Sequence, residues 1–147
     1  MTDQPPAIAV RDLRKCYGGK AAVDGLTLTV PRGCFFGFLG PNGAGKTTTI
    51  RMLMGLAPPT SGSIEILGLP MPARAVEIKR KIGVVPDESV LFDRLTGGEF
   101  LEFAGRMYGL ERRVAAERAK ELLELFELHS APRKLIAEYS KGMRKRL

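Results

Sequence analysis

Apolar and polar residues alternate along the first thirty residues, a pattern typical of strands that bury one face. Ile8–Leu13 and Ala21–Val30 are predicted strands, the second with apolar residues mostly spaced by two. Gly18-Gly19 lies between them and marks a turn. Ser63–Leu67, which is bracketed by glycines, is predicted to be a further strand. We expect these segments to form an antiparallel β portion.

A second kind of pattern follows, in which Cys34–Leu39 is apolar at nearly every position. Such a run predicts a strand buried on both faces, as in a parallel sheet. A glycine-rich loop, Gly40–Gly45, comes next, and the residues from Lys46 to about Leu56 favour a helix. Further along, Ala73–Arg80 is a predicted helix and Ile82–Val85 a predicted short strand. The expected fold class is α/β, with a mostly parallel core.

The last third of the chain has helical spacing. Thr96 and Glu99 have the spacing of a capping box, and apolar residues from Phe100 to Tyr108 recur at helical intervals. A longer helix is predicted over Glu111–Leu128, and Leu135–Leu147 ends in a basic cluster. The side chains predicted to face inward on the longer helix are Val114, Leu122, Leu125 and Phe126. The predicted organisation is a flexible N-terminus over residues 1–7, an α/β core over 8–95 and a helical subdomain over 96–147.

Composition narrows the class of protein. Of 147 residues, 44% are apolar and 27% charged, which excludes a fully disordered chain. The longest apolar runs fall short of the roughly 18 residues of a spanning helix, and the first residues lack a signal peptide, so the cytosol is expected. Two distant cysteines and one histidine argue against zinc clusters and histidine triads. The net charge of +7 is compatible with nucleic acid, membrane headgroups, phosphate ligands or simple solubility.

The strongest motif is Gly40–Thr47, which fits G-x-x-x-x-G-K-[ST] at every fixed position. A predicted strand precedes it and a predicted helix follows, the setting that this phosphate loop requires. Glycines let the backbone approach a phosphate and turn its N–H groups inward, and the helix start favours an anion. Lys46 is expected at the β- and γ-phosphates, Thr47 on Mg²⁺ and Thr48 near the α-phosphate. The predicted nucleotide ligands of this loop are Gly40, Asn42, Gly43, Ala44, Gly45, Lys46, Thr47 and Thr48.

With Pro41-Asn42 and with Ala44 between glycines, this loop resembles the Walker A loop of the nucleotide-binding domain of ATP-binding cassette (ABC) transporters. The resemblance covers about Ile8 to Leu147 and implies a P-loop NTPase fold that binds ATP and Mg²⁺, with Lys46 as a catalytic residue. It also places Tyr17, 23 residues before Gly40, where the family has an aromatic residue. The Tyr17 ring is thereby expected to stack on the adenine base.

Two further segments carry the resemblance. Ile82–Asp87 is similar to the stretch that leads to the family's Q-loop, with Asp87 in place of the usual glutamine. A carboxylate can ligate Mg²⁺ but, when ionised, cannot donate a hydrogen bond, so Asp87 is expected to keep a catalytic metal contact. The alternative is a solvated loop acid. Tyr139–Met143 resembles the ABC signature, in which Ser140 and Gly142 match and are implied to contact the γ-phosphate held by a second subunit.

Together these motifs imply an ATPase subunit that couples MgATP binding and hydrolysis to transport. Its implied partners are a second nucleotide-binding subunit in a head-to-tail dimer and a multi-span membrane subunit that holds it at the inner face of the cell membrane. The basic residues Lys141 and Arg144–Arg146 are compatible with a nucleic-acid patch or with a helix beside a phosphate site. We prefer the helix, so nucleic acid is not an expected partner.

No strand ending in Asp-Glu and no switch histidine follow the signature within the 147 residues. We therefore expect an N-terminal part of a longer ATPase, or a truncated product, that by itself binds MgATP weakly at best, is inactive in hydrolysis and exposes one edge of Cys34–Leu39. Three alternatives stay open. They are a small-molecule kinase with the same loop, a non-transport ABC protein acting on ribosomes or DNA, and a nucleotide-binding fragment without turnover.

Overall fold

A computed structural model of the chain describes residues 4–85, 91–130 and 132–147. The chain forms two compact units, Met1–Gly83 and Val84–Leu147. The first unit carries the β-strands and the glycine-rich loop, and the second unit is helical. The division into domains at residues 95 and 96 stays a prediction.

The first unit contains a four-stranded antiparallel sheet with strand order β2-β1-β3-β4. The strands are β1 Ile8–Tyr17, β2 Lys20–Val30, β3 Ser61–Ile66 and β4 Leu69–Met71. Ile8 of β1 pairs with Val30 of β2 on one side and with Ile66 of β3 on the other. The antiparallel β portion that alternation predicted is therefore confirmed, with a fourth strand added.

The core of the first unit lies between this sheet and two helices, α1 Lys46–Leu53 and α2 Ala75–Lys79. Both helices were predicted, although each is shorter than the sequence pattern indicated. They contribute Met52 and Ile78, which are completely buried with Leu13 of β1. Helix α1 begins at Lys46, so burial of Met52 anchors the helix that the glycine-rich loop enters.

The segment Cys34–Leu39 does not form the buried parallel strand that its apolar run predicted. Its backbone belongs to no sheet, and Phe35 and Leu39 are exposed. A cavity of about 590 Å³ separates Phe38 and Leu39 from β2. A strand needs a neighbouring backbone to satisfy its N–H and C=O groups. Within the described residues, all strand pairs belong to the antiparallel sheet β2-β1-β3-β4, and none of them includes Cys34–Leu39. The prediction for Cys34–Leu39 is wrong in this structure for that reason.

The short strand predicted at Ile82–Val85 is also absent from the described residues, where this stretch is irregular and Val85 is exposed. Val84 and Val85 have high β-propensity, but propensity alone does not make a strand without a pairing partner. The second unit begins within this irregular stretch.

The second unit consists of α3 Gly97–Met107, α4 Arg112–Leu125, a 3-10 turn Ile136–Glu138 and α5 Lys141–Arg146. The predicted capping box is confirmed, because the Thr96 side chain accepts from the Glu99 amide and the Glu99 carboxylate accepts from the Thr96 amide. Within the described residues, no helix has the length and apolar composition of a bilayer-spanning helix.

The buried face of α4 differs from the predicted one. Ala115 and Ala119 are buried, whereas Leu125 is exposed. Helices α3 and α4 approach closely at Gly105, where an added Cβ would stand 3.2 Å from the Ala115 Cβ. Small residues permit this close packing, so they take the interior positions and the larger Leu125 and Phe126 lie outside.

Candidate functional site

The glycine-rich loop enters α1 through two residues with left-handed backbones. Gly43 and Gly45 both have φ of +82°, and Gly45 is the N-cap of the helix. Left-handed residues turn successive N–H groups toward a common concave side, which makes an anion-binding nest. Helix α1 begins directly after these residues, and the first N–H groups of any helix have no intrahelical partners, so they add donors next to the nest.

Gly45 is held against the sheet by a close backbone approach. A Cβ built on Gly45 would stand 2.3 Å from the carbonyl oxygen of Ala22 in β2 and 3.0 Å from a methyl group of Val23. Any side chain at this position would force the strand to move. The fold thus uses β2 as a wall behind the loop, and only glycine at position 45 allows that contact.

Lys46 is already ordered over the beginning of the loop. Its Nζ donates hydrogen bonds of 2.6 Å to the Gly40 carbonyl and 2.7 Å to the Pro41 carbonyl. These two bonds hold the ammonium at the loop, and the residue as a whole is half-buried. This arrangement presents one positive charge beside the N–H groups of the loop, and both favour an anion.

The loop borders an open cavity of about 240 Å³, which most of the predicted loop ligands line. The residues that line it are Ala22, Asn42, Gly43, Gly45, Lys46, Thr47 and Thr48. Gly40 instead contributes its carbonyl to Lys46, and Ala44 donates its amide to the Pro41 carbonyl at 3.3 Å. Ala22 was not predicted, since its part in the site is a backbone contact that residue identity does not reveal.

Tyr17 lies at the tip of the β1–β2 hairpin, with about half of its surface exposed. Its Cα pairs with that of Lys20, two residues before Ala22, the residue that lines the loop cavity. The backbone position of Tyr17 therefore lies opposite a residue that is two positions along β2 from the cavity wall. The hairpin brings Tyr17 into the neighbourhood of the phosphate loop.

The signature segment lies in the second unit. Ser140 is the N-cap of α5, and its hydroxyl accepts a hydrogen bond of 3.2 Å from the Met143 amide. Gly142 follows in the first turn, and both residues are exposed. Tyr139, which departs from the family pattern, is buried. The structure therefore brings Ser140 and Gly142 together on the surface and uses Tyr139 as their anchor.

Two of the basic residues after the signature have partners within the second unit. Arg144 forms an ion pair of 2.8 Å with Asp93 and donates to the Ile136 carbonyl at 3.1 Å. Arg146 donates to the Phe126 carbonyl at 3.2 Å. These contacts hold α5 against the rest of the unit, a structural role that the sequence pattern does not predict.

Asp87 lies outside the described residues, so its predicted contact with Mg²⁺ stays a prediction. Among the described residues, no cluster of three histidine, cysteine, aspartate or glutamate side chains could hold a metal ion. The one metal-ligating candidate that the structure describes is Thr47, whose exposed side chain lines the loop cavity.

The chain is similar in sequence to a known protein family and to several curated proteins. The family described as "ABC transporter" matches residues 23–147. A daunorubicin resistance ATP-binding protein of Streptomyces coeruleorubidus is 45% identical over 141 residues, which are 96% of this chain and 45% of the relative. A Nod factor export ATP-binding protein of Cupriavidus metallidurans is 44% identical over 95% of this chain and 46% of its own. A linearmycin resistance ATP-binding protein of Bacillus subtilis is 41% identical over 95% of this chain and 45% of the relative.

Solved structures with a similar fold are also components of ABC transporters. An ATP-binding subunit of an ABC transporter superposes with a TM-score of 0.81 at 33% identity, covering 95% of this chain and 58% of the other. CbiO1 of Clostridium perfringens gives a TM-score of 0.80 at 24% identity, a likeness of fold alone. The chain spans about half the length of the curated relatives that it matches. The α/β P-loop fold class is thereby confirmed.

Proposed function

The chain belongs to the ABC transporter family, and from that premise we propose that it binds MgATP through the loop Gly40–Thr48 as part of a transport ATPase. The observation that carries the proposal is the cavity behind Lys46. It combines left-handed glycines, the start of α1 and a fixed ammonium in one concave site. These are the groups that recognise a polyphosphate.

The donor set supports a triphosphate with Mg²⁺. Gly45 leaves no room for a side chain against Ala22, so the backbone itself forms the bottom of the cradle. Thr47 offers a hydroxyl oxygen, a hard ligand suited to Mg²⁺. Lys46 has to share or exchange its bonds to Gly40 and Pro41 when its ammonium meets phosphate oxygens. Mg²⁺, when bound, would neutralise charge that develops on the phosphates.

Tyr17 is the proposed platform for the base. Its ring is half exposed at the hairpin whose second strand walls the phosphate cavity. An exposed aromatic ring on this hairpin suits a base whose phosphates lie in the loop, because stacking needs only a flat apolar face.

The remaining parts of the proposal concern the assembled protein. Ser140 and Gly142 are proposed to contact the γ-phosphate bound by a second nucleotide-binding subunit, which is supported by their exposure side by side at the start of α5. A separate membrane subunit would hold the complex at the inner face of the membrane. Outward transport is supported by relatives whose names state Nod factor export. ATP hydrolysis would drive this cycle in the assembled transporter.

The test compares Lys46→Ala with Lys20→Ala by calorimetric titration of the 147-residue chain with MgATP. Both variants lose one positive charge, but only Lys46 lies in the loop cavity. Charged hydrogen bonds contribute about 1.5–3 kcal/mol each, so Lys46→Ala is expected to weaken binding by at least about tenfold. Lys20→Ala should bind as the parent chain does. Equal affinity of the parent and Lys46→Ala would refute the site assignment.

A further inference from the structure

Lys15, near the end of β1, is held in place by two partners. Its Nζ lies 5.0 Å from the centre of the Tyr17 ring and donates a hydrogen bond of 2.7 Å to the Pro58 carbonyl. A cation at this distance is attracted to the electron-rich face of an aromatic ring. The Lys15 side chain is half-buried, whereas Lys20 across the hairpin is exposed.

The carbonyl that holds Lys15 is itself anchored to β1. Thr60, two residues after Pro58, donates its amide to the Arg14 carbonyl at 2.8 Å. The Thr60 hydroxyl accepts from the Cys16 amide at 3.0 Å. These bonds on either side of Lys15 keep Pro58 at a set position beside the strand, so the ammonium is held between a fixed carbonyl and the ring.

We propose that Lys15 is a positioning residue for the nucleotide base, which it serves by holding one face of the Tyr17 ring. The inference rests on the proposed function, in which Tyr17 stacks on the base. A cation on one face leaves the opposite face for stacking, and half of the Tyr17 surface is exposed. The ring that receives the base is therefore oriented before the ligand arrives.

Lys15 would favour binding of the base by restricting the Tyr17 ring in the free protein. An exposed tyrosine loses side-chain freedom when a base stacks on it, and that loss opposes binding. Lys15 restricts the ring in the free protein, which reduces the loss upon binding. Because Lys15 acts through the ring, its effect should appear only with ligands that carry a base.

The experiment measures the affinities of the 147-residue chain for MgATP and for Mg-tripolyphosphate, which has the phosphates but no base. Lys15→Met removes the charge and keeps the apolar stem, Lys15→Arg keeps a cation, and Lys20→Met removes the same charge from an exposed site in the hairpin. An exposed cation–π contact limits the loss of ATP affinity in Lys15→Met to about two- to five-fold, the factor expected if the contact is what orients the ring. Tripolyphosphate affinity should not change, and Lys15→Arg should restore ATP binding.

A double variant tests whether Lys15 affects ATP affinity through the Tyr17 ring. In a Tyr17→Ala background, Lys15→Met should cause no additional loss of ATP affinity, because the ring through which Lys15 acts is gone. Unchanged ATP affinity in Lys15→Met, equal losses for ATP and tripolyphosphate, or an additive double variant would each overturn the proposal. If the parent chain binds neither ligand, the proposed function itself fails, and this inference fails with it.

A second readout needs no nucleotide. Protons held over an aromatic face have shifted NMR resonances, so the ε-methylene of Lys15 should give an upfield signal in the free chain. Tyr17→Ala should return that signal to the position of an exposed lysine. A Lys15 resonance at the ordinary position in the parent chain would contradict the contact on which the proposal depends.

Discussion

The hydroxyl of Tyr139 occupies the space that a side chain on Gly97 would need. A Cβ built on Gly97 would stand 2.5 Å from the Tyr139 Oη. Gly97 is the first residue of α3 and does not have the left-handed backbone that would itself favour glycine. Tyr139 directly precedes Ser140, so this contact ties the signature segment to the N-terminus of α3.

Gly97→Ala is expected to destabilise the chain although alanine favours a helix. Tyr139 is buried, so its rigid ring has to shift to admit the methyl group, and overpacking of this kind costs about 1–3 kcal/mol. Gly98→Ala is the matched control, because its Cβ would meet only ordinary contact at 3.7 Å from Leu123. That variant should be neutral or up to about 1 kcal/mol more stable. Urea unfolding of both variants measures the difference.

Removal of the Tyr139 hydroxyl should rescue Gly97→Ala. Tyr139→Phe keeps the ring and deletes the oxygen that the methyl group meets. In the double variant, most of the stability lost in Gly97→Ala is expected to return. A double variant as unstable as the sum of the two single changes would show that the hydroxyl is not the cause.

Gly43 and Gly45 provide a second matched pair, because both have φ of +82°. Alanine at either position has the same backbone strain, of about 1–2 kcal/mol. A Cβ at Gly43 meets nothing within 4 Å, whereas at Gly45 it would lie 2.3 Å from the Ala22 carbonyl. Without ligand, Gly45→Ala should therefore lower the free energy of unfolding by clearly more than Gly43→Ala. If urea unfolding gives equal losses of stability for the two variants, the close approach of Gly45 to β2 is refuted.

The capping box of α3 predicts a pH dependence of stability. Hydrogen bonds from the Thr96 amide and then from the Thr96 hydroxyl hold the pKa of Glu99 below its ordinary value of 4.5. A carboxyl group whose pKa is lowered by folding stabilises the folded chain above its ordinary pKa. That stabilisation is lost as the pH falls from about 4.5 through the pKa of the folded state.

Glu99→Gln tests this relation, since glutamine can also complete the capping box but carries no charge. The parent chain should have the higher unfolding midpoint near pH 7, and the two midpoints should converge as the pH falls below the folded-state pKa. Glu102→Gln controls for the loss of one negative charge on the same helix. A constant difference between parent and Glu99→Gln at all pH values would refute the prediction.

Tyr17→Ala should weaken the binding of ATP and GTP by similar factors. Stacking reads the face of a base and not its hydrogen-bonding edge, and it contributes about 1–3 kcal/mol per base. Tyr17→Phe keeps the ring and should bind both nucleotides nearly as the parent does. Competition titrations with both nucleotides measure the two ratios, and a loss confined to ATP would show that Tyr17 recognises adenine by another contact.

Features that depend on neighbouring residues were predictable from the sequence. The capping box requires only Thr96 and Glu99, three residues apart, and the phosphate loop requires glycines directly before a helix. The β1–β2 hairpin has its turn glycines between two alternating strands. In each case the interacting groups are close in the chain, so their spacing specifies the geometry.

Features that depend on distant residues were decided by the tertiary structure. Cys34–Leu39 has the composition of a buried strand, but a strand forms only where another backbone pairs with it. The roles of Ala22 behind Gly45 and of Lys15 beside Tyr17 likewise depend on how strands and loops meet in space.

The sequence by itself determined the phosphate loop, the helix that follows it and the family, because these reside in contiguous residue patterns. Only the tertiary structure decided which glycine is indispensable, which tyrosine is buried and which apolar segment stays uncovered. Gly45 and Gly97 are both glycines in a sequence rich in them, but one faces a backbone carbonyl and the other a tyrosine hydroxyl. Steric exclusion acts between atoms that are neighbours in space, and most of those neighbours are far apart in the chain.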